Sequence, residues 1–369
     1  MKKKALIYPY DIESAAIIRS KEFSAKYVLI AAIAPQGWGY TGKDVGDVDG
    51  QAPFGVKVDS CFEKYIDHCD TVIFIQSEHT IDFNKNVYPK IHSAIAKKKE
   101  IICLINKYDL SDLRKLALEN KVNFIEYDYS PFEVITKNAY IMNIDTPIVA
   151  ILGLAENMDK FQIQLMVTEQ LKQMGYKTLL IGSRYYTDLV GGIPFPKFMF
   201  ETKLSESEKI KNFNRFVKSQ ESIYKPDIII LGVPGGILPY NKIINNNFGI
   251  TAFECMQAVP PDFCILSLYS NIYTEEYFSG LQNLFKYRFG SRIDIFNITN
   301  QKIDSAEMFY DPEKVRTYTV SAENMELQVK NAKEVSDMFI VNAKSVKGAE
   351  TITNRIVEVL SGDESGLSF

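Results

Sequence analysis

Histidine is scarce in this chain. Its three histidines, His68, His79 and His92, fall in the first quarter, with no HExxH or HxH spacing among them. Zinc hydrolysis, Ser-His-Asp chemistry and two-histidine iron chemistry therefore have no framework to stand on. Cysteine is little better supplied. Cys61, Cys69, Cys103, Cys255 and Cys264 make an odd number with no CxxC pair. Cys103 and Cys264 lie inside aliphatic runs, where a free thiol behaves as a small hydrophobe. A disulfide framework and a thiolate zinc site are both excluded on this pattern.

Long apolar runs are missing too, and none approaches the ~20 residues that cross a bilayer. Lys2, Lys3 and Lys4 imitate the start of a signal peptide, but the apolar stretch 5–8 is too short for its core and Pro9 and Asp11 follow. A cytoplasmic location is expected. Charge of one sign is also lacking: 42 Lys and Arg against 46 Asp and Glu give a net charge of −4. Neither nucleic acid nor a membrane is an expected partner. The basic cluster 97–99 closes a predicted helix, where cations suit the dipole.

What the chain does have is a steady alternation of short aliphatic runs with amphipathic segments, the pattern of βαβ units. Predicted strands lie at 5–8, 27–33, 71–76, 100–105 and 123–127. Helices are predicted at 13–23, 61–69, 83–97 and 110–120, with a further short one from Ser130-Pro131 to about 143. Asp145-Thr146-Pro147 reads as a boundary. Beyond it, strands are predicted at 148–152, 177–181, 227–231, 263–268 and 292–298, with helices at 160–173, 205–224 and 274–289. The last stretch gives strands at 316–321 and 338–341, a helix at 348–360 and a loose tail from 361. The expected fold is α/β: two Rossmann-like lobes with mainly parallel sheets, the second like a P-loop NTPase fold with a degenerate phosphate loop. The expected domains are 1–145, 146–304 and a C-terminal α/β extension, 305–369.

Three motifs in the first lobe spell a GTPase. Gly37 to Lys43 is GxxxxGK, with Asp44 where Ser or Thr should hold magnesium. Asp47-Val48-Asp49-Gly50 is DxxG, and Asn106-Lys107-Tyr108-Asp109 is NKxD. The physics argues against them. A P-loop opens directly into a helix whose positive end faces the phosphates, whereas 44–55 is broken by Gly46, Gly50, Pro53 and Gly55 and is not expected to start one. Asn106–Asp109 reads equally as a strand-to-helix turn, with Ser111 as the N-cap. The glycine-rich loop 35–55 holds the only tryptophan and follows a strand. Trp38, Thr41, Lys43 and Asp44 are therefore candidate ligand-binding residues, the alternative being an irregular structural loop.

The second lobe offers a better context. A strand, the loop Gly153-Leu154-Ala155-Glu156-Asn157-Met158-Asp159-Lys160, and a helix follow in order, with Lys160 where the P-loop lysine stands. Asp159 replaces the preceding glycine and Phe161 the following Ser or Thr, and Phe161 cannot ligate magnesium. At ~4 Å and an effective dielectric near 20, like charges repel by about 4 kcal/mol. Asp159 is expected to remove most nucleotide affinity, or simply to cap the helix. Gly153, Glu156, Asn157, Asp159 and Lys160 are candidate binding residues. So are Asp188, Gly191 and Gly192 after the next strand, and Gly235 and Gly236 after the one beyond. All three loops should meet in one crevice outside the carboxyl ends of the sheet. Glu254 and Cys255 are lesser candidates. No complete catalytic set and no metal site is present.

The stretches Ile7-Tyr8-Pro9-Tyr10-Asp11, Pro35-Gln36-Gly37-Trp38-Gly39-Tyr40-Thr41-Gly42-Lys43-Asp44 and 101–104 resemble clostridial peptide maturation system proteins, which are encoded beside ribosomally made, bacteriocin-like precursors and radical-SAM enzymes. The second lobe is similar, more distantly, to P-loop proteins of the dethiobiotin-synthetase kind and to two-lobed D-glutamate N-acetyltransferase-like proteins. Those have glycine where this chain has Asp159. The resemblance implies an accessory protein that binds a precursor peptide or a peptide-modifying enzyme through glycine-rich crevices. The alternatives are an ATP- or acyl-CoA-dependent ligase or transferase acting through Lys160, and a structural scaffold. ATP is a disfavoured cofactor, and a homo-oligomer is open.

Overall fold

The computed structural model describes residues 2–77, 79, 81–136, 140–310, 315–345 and 347–362; the expected loose tail falls almost wholly outside them. The chain divides into two compact units after Asp128.

In lobe one, β1 (Lys3–Tyr8), β2 (Tyr27–Ile33), β3 (Val58–Asp59), β4 (Thr71–Ile75), β5 (Glu100–Leu104) and β6 (Phe124–Glu126) form one parallel sheet, ordered β3-β2-β1-β4-β5-β6. Every residue of β4 is buried, as expected of a parallel strand covered on both faces. The covering helices are α1 (Ile12–Arg19), α2 (Lys21–Lys26), α3 (Val45–Asp49), α4 (Glu63–Ile66), α5 (Tyr88–Ala96) and α6 (Ser111–Glu119). The single helix expected over 83–97 is split. A π-helical turn, Phe83–Val87, precedes α5, whose first turn carries Pro89. Proline has no N–H to continue the ladder and is at home in a first turn.

The GTPase-like motifs prove structural. A helix does start after Lys43, contrary to the sequence reading, but α3 is five residues long and ends at Gly50 in the left-handed region. Asp44 fills its N-terminus, accepting from the amides of Gly46, Phe54 and Gly55 at 2.7, 2.6 and 2.9 Å. Asp47 completes the capping box. Buried Asp49 pairs with Arg19 at 2.6 and 3.0 Å. Ser111 is the first residue of α6 and not its N-cap; the N-cap is Leu110, without a side-chain bond, and Asp109 takes the Ser111 amide at 2.9 Å.

Lobe two contains β7 (Ile148–Gly153), β8 (Thr178–Gly182), β9 (Ile193–Pro194), β10 (Ile228–Gly232), β11 (Phe263–Leu268), β12 (Ile295–Ile298), the antiparallel pair β13 (Gln301–Ile303) and β14 (Thr317–Thr319), and β15 (Ile340–Val341). Its seven-stranded parallel sheet runs β15-β12-β11-β7-β10-β8-β9. The helices are α7 (Lys160–Gln173), α8 (Glu206–Tyr224), α9 (Ile250–Ala258), α10 (Glu275–Phe289), α11 (Ser305–Tyr310), α12 (Ala322–Val335) and α13 (Gly348–Leu360). β7, β10 and β11 are buried at every position. The C-terminal stretch is not an appendage: β15 extends the same sheet, and Ile352 and Ile356 of α13 share a core with Ile163, Val167 and Leu171 of α7.

The boundary expected at 145 is also displaced, because 129–147 belongs to lobe two. The short helix expected from Ser130 does not form over 130–136 or 140–143. Side chains of α8 hold this segment by its backbone instead. Asn212 pairs with both polar groups of Ile135 (2.8 and 2.9 Å), Asn214 with both of Met142 (2.7 and 2.9 Å), and Glu221 takes the amides of Asp145 and Thr146. Buried amide side chains here supply the partners that a helix would have supplied to itself. Among the described residues no helix is long and apolar enough to cross a membrane.

Candidate functional site

β7 delivers the chain to Gly153 at the middle of its sheet. A Cβ on Gly153 would stand 2.8 Å from Cδ of Lys160, so glycine is what lets the lysine stem fold back across the loop. Lys160 is buried. Its Nζ donates to the carbonyls of Ala155 (3.3 Å) and Gly235 and meets Oε2 of Glu156 at 3.4 Å. The Lys160 ammonium, with help from Arg184 and the Gly235 amide, holds the Glu156 carboxyl below the usual range against the pull of burial. Glu156 keeps 45% of its side-chain exposure, so this is a half-open pair at the mouth of the loop.

Asp159 departs from expectation. It makes no capping hydrogen bond to α7. Its carboxylate pairs with Lys344, beyond β15, at 2.9 Å, with side-chain exposures of 7% and 2%. The negative charge expected to repel phosphate is thus offset inside the protein. What remains is steric: Asp159 has φ +53°, a left-handed conformation that costs a non-glycine residue roughly 1–2 kcal/mol.

The loop after β10 closes tightly on this one. A Cβ on Gly236 would lie 2.7 Å from both Leu154 O and Ala155 Cα, and Ile237 donates to Gly153 O at 3.1 Å. Gly235 adopts φ +78° and turns its carbonyl toward Lys160. From β11, the Tyr269 hydroxyl donates to Glu156 O at 2.6 Å. Asn157 reaches Val315 O at 3.3 Å.

The loop after β8 takes a different role. Gly182 and Gly192 pack on Thr187, where a Cβ would come within 2.4 and 2.7 Å. Asp188 and Gly191 lie exposed on its outer turn. Arg184 is the residue of this loop that acts electrostatically on Glu156. Glu254 and Cys255 are buried in α9 rather than set in a crevice. Burial pushes the Glu254 carboxyl up to about 7, with Lys209 opposing from 3.8 Å; burial raises the Cys255 thiol as well.

In lobe one, the candidates separate. Thr41 and Lys43 are exposed, and Asp44 is the cap described above. Trp38 lies tilted against His79 at 4.5 Å between ring centroids, and the Tyr40 hydroxyl meets His79 Nε2 at 3.1 Å. Beneath them Ser77 donates to buried Asp11 at 2.5 Å. Burial, with the Asp11 charge, moves the Tyr40 hydroxyl up to about 12.

Sequence reasoning missed Asp11, Ser77 and His79, Arg184, Tyr269 and Lys344. The first three stand just past the carboxyl ends of β1 and β4, a place that strand prediction alone could have marked. Lys344 carried no local signal. Among the described residues no cluster of three or more His, Cys, Asp or Glu could hold a metal ion.

No family model matches the sequence, and no curated protein does. Among solved structures, a DUF1611 family protein from Anabaena variabilis is similar with a TM-score of 0.64 at 10% identity, covering 97% of this chain and 100% of that one. A plasmid partition protein from Borrelia burgdorferi matches at TM-score 0.35 and 13% identity over 58% of this chain and 100% of its own. The MinD cell division protein of Aquifex aeolicus matches at 0.32 and 15% over 60% and 100%. The first likeness is one of fold along nearly the whole chain; the other two are too distant to argue from.

Proposed function

We propose that this protein is an accessory factor in the maturation of a ribosomally made peptide, binding the precursor or its modifying enzyme rather than turning over nucleotide. The observation that carries this reading is the state of Lys160. Two carbonyls and the Glu156 carboxylate already surround its ammonium, so a phosphate would have to displace the protein's own anion. With Phe161 after the lysine, a hydroxyl for magnesium is lacking as well. The motifs at 7–11 and 35–44 carry the resemblance to peptide maturation proteins, and Tyr10 OH of the first donates at 3.1 Å to O of Val45, the residue that follows the second.

A second reading is favoured by one observation. The Asp159–Lys344 pair offsets the charge that argued most strongly against a phosphate, and α7 has no side-chain cap. An acyl-CoA- or ATP-dependent transferase acting through Lys160 is the alternative. Two experiments separate the readings. Calorimetry with Mg-ATP and with acetyl-CoA is expected to be silent, and a pull-down with a ribosomally made precursor peptide of that class is expected to retain the protein. Micromolar nucleotide binding that disappears in Lys160→Ala would overturn the accessory reading in favour of the transferase.

A further inference from the structure

Lobe two contains a cavity of about 280 Å³ that none of the candidate residues above explains. It lies where the sheet changes direction. After β7 the chain runs to β8 on one side; after β11 it runs to β12 on the other, and β7 and β11 are neighbours. In open α/β sheets the opening between two such strands is where ligands bind. Leu154, from the loop after β7, forms one wall. Tyr269, Tyr273 and Tyr277, from the chain after β11, form the other, with Tyr240 and Ile303 completing it.

Among the described residues the lining is neutral: four tyrosines, the aliphatic Leu154, Ile272 and Ile303, and the polar Asn271 and Thr274, with no charged side chain. A charged group entering here would lose hydration and meet no opposite charge among the described residues. The rings are held in place before any ligand arrives. The Tyr269 hydroxyl is tied to Glu156 O at 2.6 Å and that of Tyr273 to Tyr269 O at 2.7 Å. Tyr240 meets Tyr269 edge-on at 89°, and Tyr273 and Tyr277 stack at 4.9 Å. Fixed ring faces and edges favour another ring over an aliphatic chain of equal size, because the quadrupoles reward stacked and edge-on contacts. Size agrees: an apolar cavity of roughly 150 Å³ takes benzene, so 280 Å³ admits a bicyclic or substituted ring.

We infer that this pocket binds a neutral aromatic ring. The reading of the protein as a peptide-maturation factor bears only on the source of that ring, an aromatic side chain of the precursor; under the transferase reading it would be the base of a nucleoside. The site also touches the anion loop, since the Tyr269 hydroxyl that fixes one wall holds the backbone of Glu156.

The test uses the full chain and three uncharged probes, N-acetyltryptophanamide, adenosine and N-acetylleucinamide, followed by ligand-observed NMR titration. One of the two aromatic probes is expected to bind more tightly than the leucine amide. Tyr277→Ala and Tyr240→Ala should each weaken it about two- to tenfold, the range set by one aromatic contact. Tyr277 is 37% exposed, so its loss leaves the core intact, and an unchanged thermal midpoint checks this. Tryptophanamide binding assigns the ring to a peptide and adenosine binding to a nucleoside; either supports the site. Silence from both aromatic probes, equal binding of the leucine amide, or wild-type binding by both variants would overturn it. Ring binding without capture of the precursor leaves the pocket standing and removes the peptide reading; capture with silent rings does the reverse.

Discussion

The two lobes place a crevice by the same rule and then treat it differently. In lobe one the opening lies between β1 and β4, in lobe two between β7 and β11. Lobe one fills its opening with polar side chains that satisfy one another: Asp11 accepts from Ser77 at 2.5 Å and from the Ser14 amide at 3.3 Å, and all three are buried. Lobe two keeps a half-open ion pair, Lys160 with Glu156, beside a tyrosine-lined cavity. At the two crevices the glycines differ. Gly37 and Gly39, before α3 in lobe one, have positive φ and nothing within 4 Å of a would-be Cβ, so they serve turns, although Gly46 further along is crowded by Ala52. Gly153 and Gly236 in lobe two are crowded, so they serve close approach of chain to chain. Strand order decides where a crevice can form. The chemistry of the loops decides whether it stays open.

The largest expected effect strikes what lets lobe two carry an acid in its phosphate-type loop. Lys344→Met leaves Asp159 charged and unmatched by Lys344 at a site where the side chains are 7% and 2% exposed. Breaking such a pair costs about 3–5 kcal/mol, read as a lowered urea midpoint at pH 7. Adding Asp159→Gly should recover most of the loss, since it removes both the stranded charge and the left-handed strain. A cost under about 1 kcal/mol would mean the pair is solvated and the Asp159 charge does face the crevice.

A second probe marks lobe two alone. Burial raises the Glu254 carboxyl to about 7. Its proton is therefore held more tightly in the folded state than in the unfolded one. The stability this contributes is complete below the ordinary glutamate value of about 4.3 and is lost as pH climbs through 7. A carboxyl raised that far corresponds to about 3 kcal/mol. Glu254→Gln should accordingly match the wild type near pH 4 and exceed it by about that amount at pH 8. In urea or heat scans that resolve two transitions, only that of lobe two should move. An equal gain at both pH values would show that the carboxyl ionises normally.

Much of this architecture could be read in advance, and the failures share a cause. β2, β11, α7 and α13 were bounded to the residue because aliphatic runs and amphipathic periods are local signals. α9 went unseen because its sequence, ITAFECMQA, is largely apolar and shows no clean stripe. Segment 129–147 was misread because its partners, Asn212, Asn214 and Glu221, lie far along the chain on α8. The same holds at the site. Lys160 and its glycines form a local pattern, whereas Lys344, which decides what Asp159 means, is a distant residue in an unremarkable loop. The tyrosine cavity draws on residues 240–277 together with Leu154 and Ile303, and no window of sequence contains it.

The smallest effects test the contrast between sealed and open crevices most directly. Ser77→Ala in lobe one removes the short bond to Asp11 and leaves a buried carboxylate one donor poorer, a loss of about 1.5–3 kcal/mol. Glu156→Gln in lobe two touches a side chain that is 45% exposed, and its effect on stability should stay within about 0.5 kcal/mol. Its effect on binding should not be small. Lys160 would lose the Glu156 carboxylate beside its ammonium while keeping the carbonyls of Ala155 and Gly235. Inorganic pyrophosphate, which carries the charge of a nucleotide without its base, should then bind about fivefold more tightly by calorimetry, the equivalent of about 1 kcal/mol. If pyrophosphate affinity were unchanged while Ser77→Ala still destabilised lobe one, Glu156 would be a bystander and the loop of lobe two would be as closed as its counterpart.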